Sequence, residues 1–423
     1  MKLAFITPRY GADILSGPEH ACRLLAEHIS RRHDVDVITT CARSAGPWRN
    51  DYAEGPDRVR GVRIRRFPVT PSAAGDLPLT SARLAAEAHG RADELDWVKQ
   101  SGPWSAGLLE HLKQQQHAYE AVVFFSMSAA TTVFGLPLAS ARSVLFPYVQ
   151  LTPELRLGLW SDVLSSPRGI GLVSAAERPL IRQFVRAAVS NEEVVGIGIE
   201  RSPQHSYPRH QQDPADDLVD DDGPAAEIEV TTQESTIEAR GVPFRRRHRL
   251  YGSFALYGGR IEPDNGCQEM LDYFDGYASA NPDALSLVLM GVKMIRVAEA
   301  PYLRHAGVLP DRERMVAYEA ADVAIAPASA DLLAESVLES FAVGTPVLAS
   351  ARNAAAVEHC SKANAGLYYE NRDEFVDCLR LLASDPSLRQ KLGNNGRRYI
   401  EEHYRWDGVV MRLERLLGRI RAK

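Results

Sequence analysis

The sequence predicts an α/β fold of two domains, each with a parallel sheet flanked by helices. Short apolar runs that suit fully buried strands recur along the chain and alternate with amphipathic helical patterns. A length of 423 residues fits two or three domains with substantial cores. An apolar share of 45% and a charged share of 25% are typical of a globular protein, and a net charge of −6 offers no electrostatic reason to expect nucleic-acid binding.

The first strand–helix–strand unit opens the chain. Lys2–Thr7 has the pattern of a buried strand, Glu19–Arg32 that of an amphipathic helix, and Val35–Thr39 that of the next strand. A right-handed crossover places the intervening loop at the carboxyl end of the first strand. In open α/β sheets, ligands bind at that end.

Further apolar runs continue this pattern through the first half. They predict strands over residues 61–69, 121–125, 144–147, 169–174 and 194–199, with helical segments over 80–117 and from 175 to about 187. Within the first of these strands, Arg63, Arg65 and Arg66 are expected at exposed or edge positions. The uncharged stretch Ala121–Ala141 is long enough to span a bilayer, but it reads better as a buried strand, a loop of small residues and a short helix.

Two oppositely charged segments separate the halves. Asp213–Glu238 contains ten acidic residues and no Lys or Arg, which predicts a flexible tether. The basic run Arg245–Arg249 follows. It either compensates the acidic segment within the chain or forms a basic edge that faces anionic lipid or a lipid-phosphate acceptor.

The second half is organised around Pro327–Ser350. An apolar run at Val323–Ala326 precedes a loop and a helix, and a second run follows at Pro346–Ala349. Asp331 lies in the loop, and Glu339 stands eight residues later inside the helix. A helix N-terminus that faces a crevice suits a phosphorylated ligand, and a nearby carboxylate accepts hydrogen bonds from hydroxyls. The alternative is an amphipathic helix with ordinary solvated acids.

This stretch resembles the donor-binding signature of family 4 of the retaining glycosyltransferases. Asp331 and Glu339 stand at its two acidic positions, and Gly344-Thr345-Pro346-Val347 closes it. The segment Gly259–Gly266 resembles the Gly-Arg-x4-Lys-Gly element of the same family, with Arg260 in place and Asn265 where Lys is usual. The resemblance implies the GT-B architecture: two Rossmann-like domains that face one another across a cleft, with a C-terminal helix that crosses back to the first domain. The predicted divisions are an N-terminal acceptor domain over 1–198, an acidic linker over 199–248, a donor domain over 249–404 and the crossing helix over 405–423.

The resemblance also implies site residues. Asp331 orients the sugar, Glu339 holds ribose hydroxyls and Arg260 binds the diphosphate; we treat these three as the catalytic set. The donor-binding set is Gly259, Arg260, Asn265, Lys293, Gly307, Leu332, Leu333 and Glu339. Lys293 is the candidate replacement for the cation missing at Asn265. In the first domain, Ser16 and Gly17 correspond to a Gly-Gly loop, although a Gly-Pro turn with no ligand is the alternative, and Gln150 stands where relatives carry His.

The implied function is transfer of a sugar, by a hexosyltransferase-type enzyme, from a nucleotide-diphosphate sugar to an acceptor hydroxyl with retention of configuration. The acceptor is a glycan, a lipid-linked or a small molecule, and no metal or cofactor is expected. Three departures (Gln150, Asn265 and Asp331) favour the alternative of a non-catalytic partner or regulatory subunit, and a phosphorylase or sugar-nucleotide epimerase is a third reading. The five scattered cysteines and the absence of a signal-peptide pattern predict a cytoplasmic protein, with peripheral contact at the inner membrane face as the alternative location.

Overall fold

The computed structural model contains two parallel sheets that belong to two successive parts of the chain. It describes residues 1–14, 17–44, 46, 48–70, 77–149, 152–184, 191–200, 241–281, 285–329 and 332–421. The predicted acidic tether at 213–238 and the site candidates Ser16, Gln150 and Asp331 lie outside the described residues.

The N-terminal sheet has eight strands in the order β3-β4-β2-β1-β5-β6-β7-β8. The strands are β1 (Lys2–Ile6), β2 (Asp34–Thr40), β3 (Gly55–Val59), β4 (Val62–Phe67), β5 (Ala121–Phe125), β6 (Ser143–Phe146), β7 (Gly169–Leu172) and β8 (Glu192–Val194). The helices are α1 (Gly17–Ile29), α2 (Leu77–Ala86), α3 (Arg91–Ser101), α4 (Ala106–Gln115), α5 (Ala130–Ala139), α6 (Leu159–Ser165) and α7 (Glu177–Phe184). All five residues of β5 are buried, as expected for a central strand covered by helices on both faces.

The edge of this sheet that β3 and β4 form differs from the sequence prediction in two ways. β3 was not predicted; it pairs antiparallel with β4 at the edge, and its central residues Pro56, Asp57 and Arg58 are exposed. Arg66 was expected at an exposed or edge position, but it is 1% exposed. Its guanidinium donates to the Tyr10 carbonyl and to Asp57, and these bonds compensate its burial.

The C-terminal sheet has six parallel strands in the order β11-β10-β9-β12-β13-β14. The strands are β9 (Phe254–Gly258), β10 (Ser286–Met290), β11 (Leu303–Gly307), β12 (Val323–Ala326), β13 (Val347–Ser350) and β14 (Gly366–Tyr369). The helices are α8 (Val242–Arg247), α9 (Cys267–Ala280), α10 (Asp311–Ala320), α11 (Glu335–Val343), α12 (Ala354–Ala363), α13 (Arg372–Ser384), α14 (Pro386–His403) and α15 (Trp406–Arg421). The short helix α8 contacts α10 and so belongs to the C-terminal domain. This domain therefore begins before residue 249, the predicted boundary.

The chain crosses between the domains twice, and the two crossings lie side by side. The Ile199 amide donates to the Tyr404 carbonyl at 2.9 Å. The last helix, α15, then packs on β7 and β8 of the first sheet. Arg412 on this helix donates to the Val195 carbonyl at 3.0 Å. The predicted return of the C-terminal helix to the first domain is therefore confirmed.

The uncharged stretch from Ala121 to Ala141 folds as predicted from its small and polar residues. It forms β5, a loop and α5, and β5 pairs with β1 and β6 in the middle of the N-terminal sheet. Among the residues that the structure describes, no helix combines the length and the apolar character that crossing a membrane requires.

Candidate active site

The predicted strand–loop–helix at the centre of the second half forms, and its helix carries a buried acid. Ala334, with φ +50°, precedes α11, and Gly344, with φ +81°, follows it. Val337, Leu338 and Phe341 lie in the core, as their spacing predicts. Glu339 is also buried, at 6% exposure, so the alternative of a solvated surface acid does not hold for it.

Glu339 is paired with an arginine that sequence reasoning did not single out. Arg314 on α10 donates from Nη2 to Glu339 Oε1 at 2.5 Å. Burial raises the pKa of Glu339 to about 8, against the lowering effect of Arg314 and with a further increase from the Glu335 carboxylate. The pair therefore places a guanidinium and two carboxylates in one poorly solvated region at the start of α11.

The first turn of α11 and the loop before it face the N-terminal domain. Glu335 Oε1 lies 3.4 Å from His20 Nδ1 on α1, and the two side chains are 20% and 3% exposed. Ser174 Oγ donates to the Leu332 carbonyl. The Leu332 side chain packs in the N-terminal core that contains Ile6 and Phe124. The first turns of α1 and α11 therefore meet across the cleft, and the start of each helix has backbone N–H groups without intrahelical partners.

A second group of predicted residues forms a corner after β9 and β10. The Gly259 amide donates to the Met290 carbonyl at 2.9 Å. Gly291 has φ +136°, and a Cβ there would lie 1.9 Å from the Gly259 carbonyl oxygen, so the close approach of the two loops requires glycine. Lys293 pairs with Ile261 in an isolated β-bridge and is exposed. The candidate replacement cation is therefore adjacent to the Arg260 loop.

Within this corner, the Arg260 side chain is exposed, and the Asn265 side chain is held by hydrogen bonds within the loop. The Arg260 side chain is 65% exposed and lies 3.0 Å from Glu262. Asn265 Nδ2 donates to the Arg260 carbonyl at 3.0 Å, and Asn265 Oδ1 accepts from Ser329 Oγ at 3.1 Å. Asn265 therefore ties the Arg260 loop to the loop that follows β12 without contributing charge.

The remaining described candidates lie at the edges of the site. Gly307 ends β11 with φ +77°, and a Cβ there would meet no atom within 4 Å, so this surface is open. Gly17 is the first residue of α1, with φ +78°. The Leu333 carbonyl lies 3.3 Å from Nε2 of His359, which is fully buried.

Four ionisable residues near the cleft were missed by sequence reasoning: His20, Arg23, Arg314 and Glu335. They lie on three helices, so their convergence depends on long-range packing that residue spacing does not show. The one available signal was Glu335, which stands one helical turn before Glu339 and so shares its face. Among the described residues, no group of three or more His, Cys, Asp and Glu is arranged to hold a metal ion.

Comparisons with known proteins agree with this architecture. Residues 244–399 match the model of the family described as Glycosyl transferases group 1. Sucrose-phosphate synthase from Thermosynechococcus elongatus has a TM-score of 0.67 at 14% identity, with 100% of this chain and 99% of that chain covered. HepE from Anabaena, in complex with UDP, has a TM-score of 0.66 at 14% identity, with 99% of this chain and 100% of HepE covered.

A third similar structure is WaaG, described as a glycosyltransferase involved in lipopolysaccharide biosynthesis. Its TM-score is 0.60 at 16% identity, and 99% of each chain is covered. The GT-B fold is therefore confirmed, and the glycosyltransferase resemblance predicted from the motifs is confirmed by the family match in the C-terminal domain.

Proposed function

We propose that this protein is a hexosyltransferase-type glycosyltransferase that moves a sugar from a nucleotide-diphosphate sugar to an acceptor hydroxyl with retention of configuration. The observation that carries the proposal is the position of Glu339. It lies buried on α11, in the segment that matches glycosyl transferases, and the same helix faces the N-terminal domain. A buried carboxylate beside a helix N-terminus suits a ligand that combines hydroxyls with phosphate.

The donor binds mainly on the C-terminal domain in this proposal. Glu339 accepts hydrogen bonds from ribose hydroxyls, and Asp331 orients the sugar ring. Arg260 and Lys293 approach the diphosphate from the exposed corner after β9 and β10, where their loops are joined by the Ile261–Lys293 bridge. Fixed cations and backbone N–H groups stabilise the charge that grows on the leaving diphosphate, so the proposed chemistry calls on no metal or cofactor.

The acceptor binds mainly on the N-terminal domain, near the start of α1. The leaving phosphate then draws the proton of the acceptor hydroxyl on the face that the nucleophile attacks, which retains the anomeric configuration. Closure of the domains about the paired crossings near Ile199 and Tyr404 excludes water and limits hydrolysis of the donor. Two of the similar proteins support this ligand class and a glycan pathway: HepE was crystallised with UDP-glucose, and WaaG is a glycosyltransferase involved in lipopolysaccharide biosynthesis.

A non-catalytic partner or regulatory subunit is the second candidate, and a specific observation favours it. Asn265 stands where the family carries Lys, and its amide is bound within the loop by Arg260 and Ser329. Loss of one cation of a diphosphate clamp costs roughly two to three decades in rate if no other group replaces it. Such a protein retains the fold and nucleotide binding but not turnover.

Titration calorimetry with UDP, GDP and ADP tests the shared premise, because both candidates require one of these to bind. Transfer or donor hydrolysis is then measured for the wild type, Glu339→Ala, Arg260→Ala and the control Arg380→Ala, which removes an exposed arginine on α13. We expect the first two variants to lose at least tenfold in activity and the control to retain it. Activity that survives both changes removes these residues from the mechanism, whereas binding without turnover favours the non-catalytic candidate.

A further inference from the structure

A buried charge cluster lies between the two helices that face one another across the cleft. On the C-terminal side, Glu335 is the first residue of α11. On the N-terminal side, His20 and Arg23 lie on successive turns of α1 and are 2% and 0% exposed. His20 contacts Glu335 directly. Burial acts to raise the pKa of Glu335, but His20, then Arg314 and Arg23, lower it below its ordinary value.

Some hydrogen-bond donors in this cluster have no acceptor among the described residues. Arg23 donates from Nη1 to Glu27 at 3.1 Å, but among the described residues its Nε and Nη2 have no hydrogen-bond partner. His20 Nδ1 lies 3.4 Å from Glu335 Oε1. Buried guanidinium nitrogens without partners are costly, and they mark a position where an anionic ligand gains several hydrogen bonds at once.

The backbone adds to this preference for an anion. The N-termini of α1 and α11 carry partial positive charge, and the carboxylate of Glu335 on the first turn of α11 contacts His20 on the first turn of α1. The Glu335 carboxylate lies near His20, Arg23 and Arg314, and the other acidic partners of the two arginines are Glu27 and Glu339. An anion that replaces Glu335 would meet the Nε and Nη2 donors of Arg23, which have no hydrogen-bond partner among the described residues.

We propose that His20 and Arg23 of the N-terminal domain bind the diphosphate of a nucleotide, and that Glu335 is the intramolecular anion that this diphosphate displaces. The inference rests on the proposed function only in taking the anion to be a nucleoside diphosphate. It assigns the N-terminal domain a direct part in holding the donor, so diphosphate binding and domain closure depend on the same two side chains. Glu335 then weakens binding, because its carboxylate competes for the same donors.

The test compares three probes: the nucleoside diphosphate that binds the wild type best among UDP, GDP and ADP, its parent nucleoside, and inorganic pyrophosphate. The isosteric variant Glu335→Gln removes the competing charge. We expect it to lower the Kd for the diphosphate and for pyrophosphate at least tenfold and to leave the Kd for the nucleoside unchanged. Glu358→Gln, which removes a carboxylate paired with Lys362 on α12, is the matched control and is expected to change none of the three.

Variants on α1 give the opposite expectation. His20→Asn and Arg23→Gln should raise the Kd for the diphosphate at least tenfold without changing that for the nucleoside, and Arg23→Lys should lose less. Because Arg23 is fully buried, the melting temperature of each variant is measured first. If Arg23→Gln does not fold, His20→Asn and Glu335→Gln decide the question.

The outcomes separate this inference from the proposed function. If the wild type binds a diphosphate but Glu335→Gln does not tighten it, or if the α1 variants weaken the nucleoside equally, the inference is overturned and the proposed function stands. If no nucleotide binds but pyrophosphate does, and Glu335→Gln tightens it, the anion site stands and the proposed function fails. If no probe binds either protein, both are overturned.

Discussion

The pair between Arg314 and Glu339 offers a direct test of how the cleft is stabilised. Its atoms lie 2.5 Å apart, and the two side chains are 18% and 8% exposed. Replacement of Arg314 by Met removes the partner and leaves Glu339 buried beside Glu335. Loss of one partner from a buried ion pair costs about 3–5 kcal/mol, and the partial exposure of Arg314 places this variant near 3 kcal/mol.

A double-mutant cycle separates the pair from its surroundings. Glu339→Gln leaves Arg314 with Asp311 at 3.6 Å, so we expect a smaller loss, about 1–2 kcal/mol. The double variant should be nearly as stable as Glu339→Gln, because no unpaired carboxylate then remains at this position. The expected coupling energy is therefore about 2 kcal/mol or more.

The assay is urea denaturation at pH 9, above the pKa of about 8 of Glu339 so that its carboxylate is charged, followed by far-UV circular dichroism, with Arg380→Met as the control. Arg380 lies 3.6 Å from Asp377 at the surface, and such exposed pairs contribute about 1 kcal/mol or less. A loss below about 1 kcal/mol for Arg314→Met, or a coupling energy below about 0.5 kcal/mol, would refute the view that this buried pair stabilises the start of α11.

Two further predictions concern the packing behind the site. Burial lowers the pKa of His359 to about 4, below its unfolded value of about 6.5, so its contribution to stability is complete above pH 6.5 and is lost as the pH falls toward 4. The free energy of unfolding, measured by urea denaturation, should therefore fall by about 3 kcal/mol across this range. An equally steep fall in the His359→Gln variant would show that His359 is not its cause. For Gly393→Ala in α14, the new Cβ would lie 2.0 Å from the Gly344 carbonyl oxygen, a backbone atom, so we expect a loss of about 3 kcal/mol. The control Gly418→Ala in α15 meets no atom within 4 Å and should gain up to about 1 kcal/mol, and equal effects of the two changes on the melting temperature would count against this packing.

Much of the fold could be predicted from the sequence because its strands are buried on both faces. β5 and β12 lie at the predicted residues, 121–125 and 323–326, since a parallel strand under two helix layers is a continuous apolar run. β3 could not be predicted in this way. Its sequence, Gly-Pro-Asp-Arg-Val, has no apolar pattern, and it exists because the exposed edge of β4 offers hydrogen bonds.

The site was predicted in part, for a related reason. Motif spacing singled out Glu339, Arg260 and the Gly259 turn as candidates because each lies on one strand–loop–helix unit. The partners of these residues come from other units: Arg314 reaches Glu339 from the preceding helix, and His20 reaches Glu335 from the other domain. Local patterns carry no signal for such pairs, because an arginine or histidine on an amphipathic helix is usually a solvated residue.

The most direct test of the account is a crystal structure of the protein with the nucleoside diphosphate that it binds most tightly. The account predicts ribose hydroxyls within hydrogen-bond distance of Glu339, and a diphosphate between the start of α11, Arg260 and the start of α1. A nucleotide bound outside this cleft, or one in the cleft whose ribose and phosphates avoid both Glu339 and Arg260, would contradict it.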